Sequence, residues 1–340
     1  MSELRWHPLL EEWVITATHR QDRTFLPPSD YCPLCPTQPG AFPTELARAD
    51  YDIAVFDNKF PSFQTKPPPP AVDPTSVSAV RAANGACEVI CYTSRHDVTL
   101  TDLPLSQFRK LVSVWTHRFA ELSSRPDINY VLVFENKGKD IGVTLYHPHG
   151  QIYAFPFVPP KPAKELEASL SHFSRTGRCL LCDVLRQELR DECRIVVEND
   201  SFVVLVPFFA RYPYETYVIP RRHHQTMLSF DEDEQYDLAE ILKLILLKYD
   251  SLWGTSLPYM MIMHQAPTDG QDYPSHHFHI EFHPPNRTKD KLKYIAGCET
   301  GAGTYINDTL PEEKAAELRE AAPDTTQCTF VNLTESGHTP

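Results

Sequence analysis

The chain has little glycine, 12 in 340 residues, and no apolar run near the ~18 to 20 residues of a membrane-spanning helix. Its opening residues, MSELRWHPLL, show no basic segment leading into an apolar one, so a soluble, cytoplasmic protein is expected. Positive charge is also scarce, with 32 Lys and Arg against 45 Asp and Glu and a net charge of −13. Nucleic acid and anionic membranes need an extended basic face, so neither is expected as a partner. A small phosphorylated ligand held by a few local arginines is compatible with that balance. Hydrophobic residues make up 41%, enough to bury one large core or two medium ones, which excludes a disordered tail or a small disulfide scaffold. The excess lies in proline, 31 residues with clusters such as Pro67 to Pro70, which punctuate the loops of a folded chain.

Nine cysteines form an odd set, and four of them fall into two C-x-x-C pairs, Cys32/Cys35 and Cys179/Cys182. In a reducing compartment this spacing reads as metal ligands or a redox couple before it reads as disulfides. Fifteen histidines, many of them clustered, favour the metal.

These landmarks occur twice in the same order. Cys32 and Cys35 are followed by "EVICYTSRH" ending at His96, a helical pattern from Leu105 to Leu122, the apolar run "NYVLVFENKG", and His147-Pro148-His149-Gly150-Gln151. Cys179 and Cys182 are followed by "ETYVIPRRH" ending at His223, a helical pattern from Glu232 to Trp253, "PYMMIMHQAP", and His277-Phe278-His279-Ile280-Glu281. Five kinds of landmark in one order indicate a tandem duplication of a unit of roughly 150 residues. Expected strands are the β-branched and aromatic runs "EVICYT", "NYVLVFE", "QIYAFPF", "FVVLVPF", "ETYVIP", "YMMIMH" and "FHIEFH". Phe108, Leu111, Val112, Trp115, Phe119 and Leu122 share one helical face. The fold class is therefore α+β, with mostly antiparallel sheets and one long helix per half. Domains are expected at 1–160 and 161–325, with Pro159 to Ser174 as a connector, a short amphipathic helix near the C-terminal end, and a frayed tail at 326–340.

Tetrahedral zinc bound by nitrogen and sulfur takes Cys and His, and a C-x-x-C knuckle delivers two thiolates from one turn. The first half offers Cys32, Cys35, His96 and His147, and the second offers Cys179, Cys182, His223 and His277. His224 competes with His223, which is preferred because it matches His96. Four protein ligands close each site, so both zinc ions are expected to be structural.

"FENKG" (Phe134 to Gly138) followed by "HPHGQ" (His147 to Gln151) resembles the signature of the galactose-1-phosphate uridylyltransferase family, a duplicated group in the histidine-triad superfamily. The resemblance runs from about Trp13 to Glu320. It implies a homodimer that moves UMP from UDP-glucose to galactose 1-phosphate by a ping-pong route, releasing glucose 1-phosphate. A nucleophile for that exchange must attack the α-phosphorus and leave again, which neutral imidazole does near pH 7. His149 is that nucleophile, Pro148 stiffens the approach, and Gly150 lets backbone come close to phosphate. Gln151 stands where histidine-triad hydrolases carry a third histidine. An amide hydrogen-bonds phosphoryl oxygen without acting as a general acid, which favours transfer over hydrolysis. By the same resemblance Arg20 and Arg23 bind phosphate, across the dimer or within it. Asn58 and Asn136 contact nucleotide, Thr144 contacts phosphate, and Lys293 and Glu299 lie in the hexose-binding stretch.

The second copy lacks the Pro and Gly and ends in Glu281, so it reads as catalytically retired. Some relatives hold a second metal through a glutamate and three histidines, which here fall on Glu165, His264, His279 and Glu281. The last is not His, so the cysteine site is preferred and this one kept as the alternative. The rival functions are an ADP-glucose or dinucleoside-polyphosphate phosphorylase or adenylyltransferase on the same fold, a non-catalytic zinc-stabilised scaffold, and a C-x-x-C redox protein.

Overall fold

The computed structural model describes residues 2–22 and 31–322. Arg23 and the tail at 326–340 lie outside the described residues. The chain runs β1 (Ser2–His7), β2 (Glu12–Ala17), β3 (Ala54–Asp57), β4 (Val80–Ala82), β5 (Ala86–Cys91), α1 (Leu105–Ser123), β6 (Tyr130–Lys137) and β7 (His149–Phe155). It continues with α2 (Pro160–Thr176), α3 (Leu180–Asp191), β8 (Ile195–Glu198), β9 (Phe202–Leu205), β10 (Thr216–Pro220), α4 (Glu232–Ser251), β11 (Tyr259–His264) and β12 (His279–His283). The short strands β13 (Asn286–Thr288) and β14 (Lys291–Leu292) and the helices α5 (Gly297–Ala302) and α6 (Pro311–Glu320) complete it.

All seven expected strand segments form, and they join in one sheet ordered β3-β5-β7-β6-β11-β12-β10-β9-β8, antiparallel throughout. The order reads outward from the β6–β11 seam in two matching series, β6-β7-β5-β3 and β11-β12-β10-β9. Registers match as well: Gln151 pairs with Val89 and Phe134, as Glu281 pairs with Tyr217 and Ile262. Because side chains alternate across a sheet, these registers put His149 and Gln151 on the same face as His279 and Glu281.

The opposite face carries the main core. Helix α1 buries Phe108, Leu111, Val112, Trp115, Phe119 and Leu122, the stripe read from its 3.6-residue period. Helix α4 packs beside α1 and opens on a capping box: Asp231 Oδ1 accepts from the Glu234 N–H at 2.9 Å, and Glu234 Oε2 accepts from the Asp231 N–H at 3.0 Å. Gln107 Nε2 donates to the carbonyls of Tyr92 (2.8 Å) and Asp52 (3.0 Å), tying α1 to the end of β5.

One expectation needs correction. Pro159 to Ser174 is a helix, α2, because its prolines fall in the first turn, where a missing N–H has no intrahelical partner to lose. With α3 added, the second half holds two further helices of ten or more residues, α2 and α3, besides the expected long helix α4. Cys179 is the N-cap of α3, so the second knuckle launches a helix whose Leu181, Leu185 and Leu189 cover Val203, Leu205, Tyr217 and Ile219.

Candidate active site and metal centres

His149 opens β7, half-buried, at a cleft of about 250 Å3. Its Nδ1 lies 2.7 Å from the His147 carbonyl, which can only accept, so Nδ1 carries the proton and Nε2 keeps a lone pair. Arg20, Asn58, Thr144 and Gln151 line the same cleft. Asn58 Nδ2 donates to Gln151 Oε1 at 3.3 Å, and Arg20 Nη1 donates to the Phe60 carbonyl at 3.0 Å and lies 3.4 Å from the Tyr153 hydroxyl. The cleft thus combines an imidazole lone pair, a guanidinium and two oriented amides with an apolar wall of Leu34, Phe56 and Val89. Lys59, ion-paired to Glu45 at 2.9 Å, adds a cation that the sequence reading missed.

Other expected residues fall elsewhere. Asn136 lies on the same sheet face as Gln151 but does not line the cleft. Lys293 and Glu299 are buried against each other at 3.0 Å, and they do not line it either. Gly150 has a different reason from the one expected. A Cβ built there would lie 2.1 Å from the Tyr92 hydroxyl, so the missing side chain makes room for a tyrosine on the helix-covered face.

Cys32, Cys35, His96 and His147 converge, as do Cys179, Cys182, His223 and His277, with the ligand atoms of each group within 4.8 Å of one another. Cys32 and Cys35 Sγ lie 3.9 and 3.6 Å from His147 Nδ1, and Cys182 Sγ lies 3.4 and 3.2 Å from Nδ1 of His223 and His277. Tetrahedral zinc with arms of about 2.3 Å to sulfur and 2.0 Å to nitrogen has S···N edges near ~3.5 Å, so both groups fit it. The outer nitrogens are held too, His147 Nε2 by the Thr93 carbonyl (2.7 Å) and His277 Nε2 by the Arg222 carbonyl (3.1 Å). Tyr51, absent from the sequence reading, bridges His147 Nε2 (2.9 Å) and the Leu34 carbonyl (2.9 Å) inside the first knuckle. Burial drives His147 down to about 4, keeping it a neutral donor.

Glu165, His264, His279 and Glu281 also converge within 4.8 Å. Here the donor set suits a metal poorly. Glu281 Oε1 accepts from the Tyr217 hydroxyl at 2.6 Å, while its Oε2 faces Lys161 Nζ, Arg211 Nη2 at 3.3 Å and His283 Nε2 at 2.8 Å. Two fixed cations already neutralise that carboxylate, and Glu165 accepts from His264 Nδ1 at 2.7 Å.

Two family models match the chain: Galactose-1-phosphate uridyl transferase, N-terminal domain, over residues 1–159, and the C-terminal domain over 165–331. Galactose-1-phosphate uridylyltransferase of Thermotoga maritima is 42% identical over 322 residues, covering 94% of this chain and 98% of that protein. A solved uridylyltransferase structure superposes with a TM-score of 0.84 at 35% identity, covering 94% of this chain and 98% of that one. An ADP-glucose phosphorylase from Arabidopsis thaliana with bound ADP-glucose superposes less closely, with a TM-score of 0.71 at 26% identity, over 95% of this chain and 99% of that one.

Proposed function

The chain is a member of the galactose-1-phosphate uridylyltransferase family, and on that footing we propose that His149 carries the uridylyl group between its two sugar phosphates. The protein is a transferase that moves UMP from UDP-glucose to galactose 1-phosphate, and its substrates are sugar phosphates and UDP-sugars. In the proposed mechanism His149 Nε2 attacks the α-phosphorus of UDP-glucose, the bond to the bridging oxygen breaks, and glucose 1-phosphate leaves. A phosphate oxygen of galactose 1-phosphate then attacks the same phosphorus, and the imidazole departs with its electron pair. The observation that carries this is the His149 Nδ1–H bond to the His147 carbonyl at the mouth of the cleft. That bond fixes the tautomer and spreads the positive charge that the imidazole gains on phosphorylation. Gln151 and Arg20 hold phosphoryl oxygens, and among the described residues no carboxylic acid or second histidine lines the cleft beside His149 to protonate a departing group, apart from the ion-paired Glu45.

The two Cys2His2 groups are proposed as zinc sites that fix the loops around each motif, the first holding the strand that presents His149. The glutamate–histidine cluster is proposed to hold no metal, since Lys161 and Arg211 supply its positive charge. Residues 1–160 and 161–325 are proposed as the two domains. A homodimer is proposed because Lys293 and Glu299 do not line the cleft of their own chain, so a hexose contact from them to a nucleotide bound there calls for a second copy. Arg23 is proposed as a further phosphate ligand. A cytoplasmic location is proposed from the two thiol pairs, which stay available to metal in a reducing compartment.

Incubation with α-phosphate-labelled UDP-glucose, without acceptor, tests the mechanism. Acid-labile label on the wild-type protein and none on His149→Gly is expected. An unlabelled wild type refutes the covalent route, and equal labelling from ADP-glucose moves the assignment to an adenylyl transferase.

A further inference from the structure

Beneath the nucleophile, on the face covered by α1 and α4, three polar residues meet in the core. Glu135 is 5% exposed, and its Oε1 accepts from the Tyr259 hydroxyl at 3.0 Å. Its Oε2 and the Tyr92 hydroxyl are both buried without a hydrogen-bond partner, and the two groups lie close enough to act on each other electrostatically. Tyr92 in turn holds both neighbours of His149. Its N–H donates to the Pro148 carbonyl at 3.0 Å, and its hydroxyl fills the space where a side chain on Gly150 would be.

The sheet registers identify the corresponding positions under the second motif. Gly150 pairs with Ile90 and Ile280 with Val218; Gln151 pairs with Phe134 and Glu281 with Ile262. Stepping along each strand by equal amounts, Tyr92, Glu135 and Tyr259 correspond to Pro220, Met263 and Val131, as Gly150 does to Ile280. The fold is therefore satisfied by three apolar residues at these places. Burying a carboxyl and two hydroxyls instead costs desolvation that apolar packing avoids, and the polar set occurs only beneath the intact motif.

We propose that Glu135, facing Tyr92 from the first half and hydrogen-bonded by Tyr259 from the second, is a positioning residue that sets the Pro148–Gly150 backbone and so couples the second half to the aim of His149. It rests on the uridylyl-transfer reading for its kinetic test. The groups facing Glu135 are Tyr92 at the end of β5, Tyr259 on β11 and, on its own strand, Lys137, whose ammonium is committed to Asp250 of α4 at 3.1 Å. Burial pushes Glu135 up to about 7, so it changes charge near neutral pH.

The test compares full-length, metal-replete variants. Tyr259→Phe is expected to lower kcat roughly tenfold, the scale of a sub-ångström misplacement, with KM for UDP-glucose within about twofold. Glu135→Gln, which keeps hydrogen bonds and loses the titration, is expected to retain most of kcat while flattening the pH dependence near 7. Gly150→Ala is expected to be crippled and partly rescued by Tyr92→Phe. Wild-type kcat with an unchanged pH profile in both Tyr259→Phe and Glu135→Gln overturns the proposal. Because loss of the uridylyl-transfer reading would void only the kinetics, the rate of His149 carbethoxylation is followed by site-resolved mass spectrometry. A changed rate in Tyr259→Phe supports the coupling without any substrate, and an unchanged rate refutes it.

Discussion

His149 and His279 occupy matching places in one sheet, and each directs Nδ1 at the carbonyl two residues before it, at 2.7 and 3.0 Å. Their surroundings differ. His149 looks into a cleft, whereas His279 is 7% exposed and stacked between Tyr217 and His264, with ring centroids at 5.4 and 4.7 Å. Over the second half, α3 lays its leucines on the strands that in the first half border the cleft, and α2 brings Glu165 to His264. The duplicated unit therefore keeps the imidazole tautomer in both copies and loses the ligand space in one. A motif histidine is not sufficient for chemistry; the open face in front of it decides.

The largest effect should separate the two histidines. His149→Ala is expected to lower uridylyl transfer by at least about 10⁴-fold, since it removes the only attacking atom the mechanism has. His279→Ala is expected to stay within about tenfold of wild type and to show its cost in melting temperature, because it empties a stacked, buried position. Steady-state turnover beside thermal unfolding reads both. Comparable kinetic losses in the two variants would mean that the second copy touches substrate.

The metal centres give the next comparison. Cys35→Ser and Cys182→Ser are each expected to drop zinc from two per chain to one, by elemental analysis of purified protein. In the first half the lost ligand frees His147, two residues from His149, so transfer should fall by about 10²-fold. In the second half the nearest counterpart is the retired His279, and turnover should hold while the melting temperature drops. Two zinc ions remaining in Cys182→Ser would return the second metal to Glu165, His264, His279 and Glu281.

Much of this contrast was legible in the residues. Sulfur and imidazole in a matched order announced both four-ligand groups, since the same four donor types recurring in sequence leave few alternatives, and the 3.6-residue stripe of α1 named its buried face. Helix α2 was not legible, because Pro160 and Pro162 read as linker until their place in a first turn is known. Nor was the role of Gly150: a glycine beside a nucleophile suggests close approach by ligand, while the approach here is by Tyr92, 58 positions earlier and from the other side of the sheet. Tyr51 and the role of Glu135 were missed for the same reason: Tyr51 sits in no motif, Glu135 appears only as one letter of FENKG, and both act through partners that the fold brings to them.

The smallest expected effect concerns the floor beneath the two motifs, Glu135 in one half and Met263 in the other. Glu135 is raised by burial from 4.5 to about 7. A carboxyl raised in the folded state binds its proton more tightly there than in the unfolded chain, so its contribution is fully present below about 4.5. It is lost progressively as pH rises toward 7 and is constant above. Wild type should therefore lose stability relative to Glu135→Gln across that window, by on the order of 2 kcal/mol, with no further divergence at higher pH. Met263→Leu, at the corresponding place under the retired motif, should keep a constant offset from wild type over the same range, because it removes no titrating group. Denaturant unfolding at several pH values measures both offsets. A Glu135→Gln offset as flat as that of Met263→Leu would show that the carboxyl titrates alike in folded and unfolded chains, and the polar floor would then differ from the apolar one in shape alone.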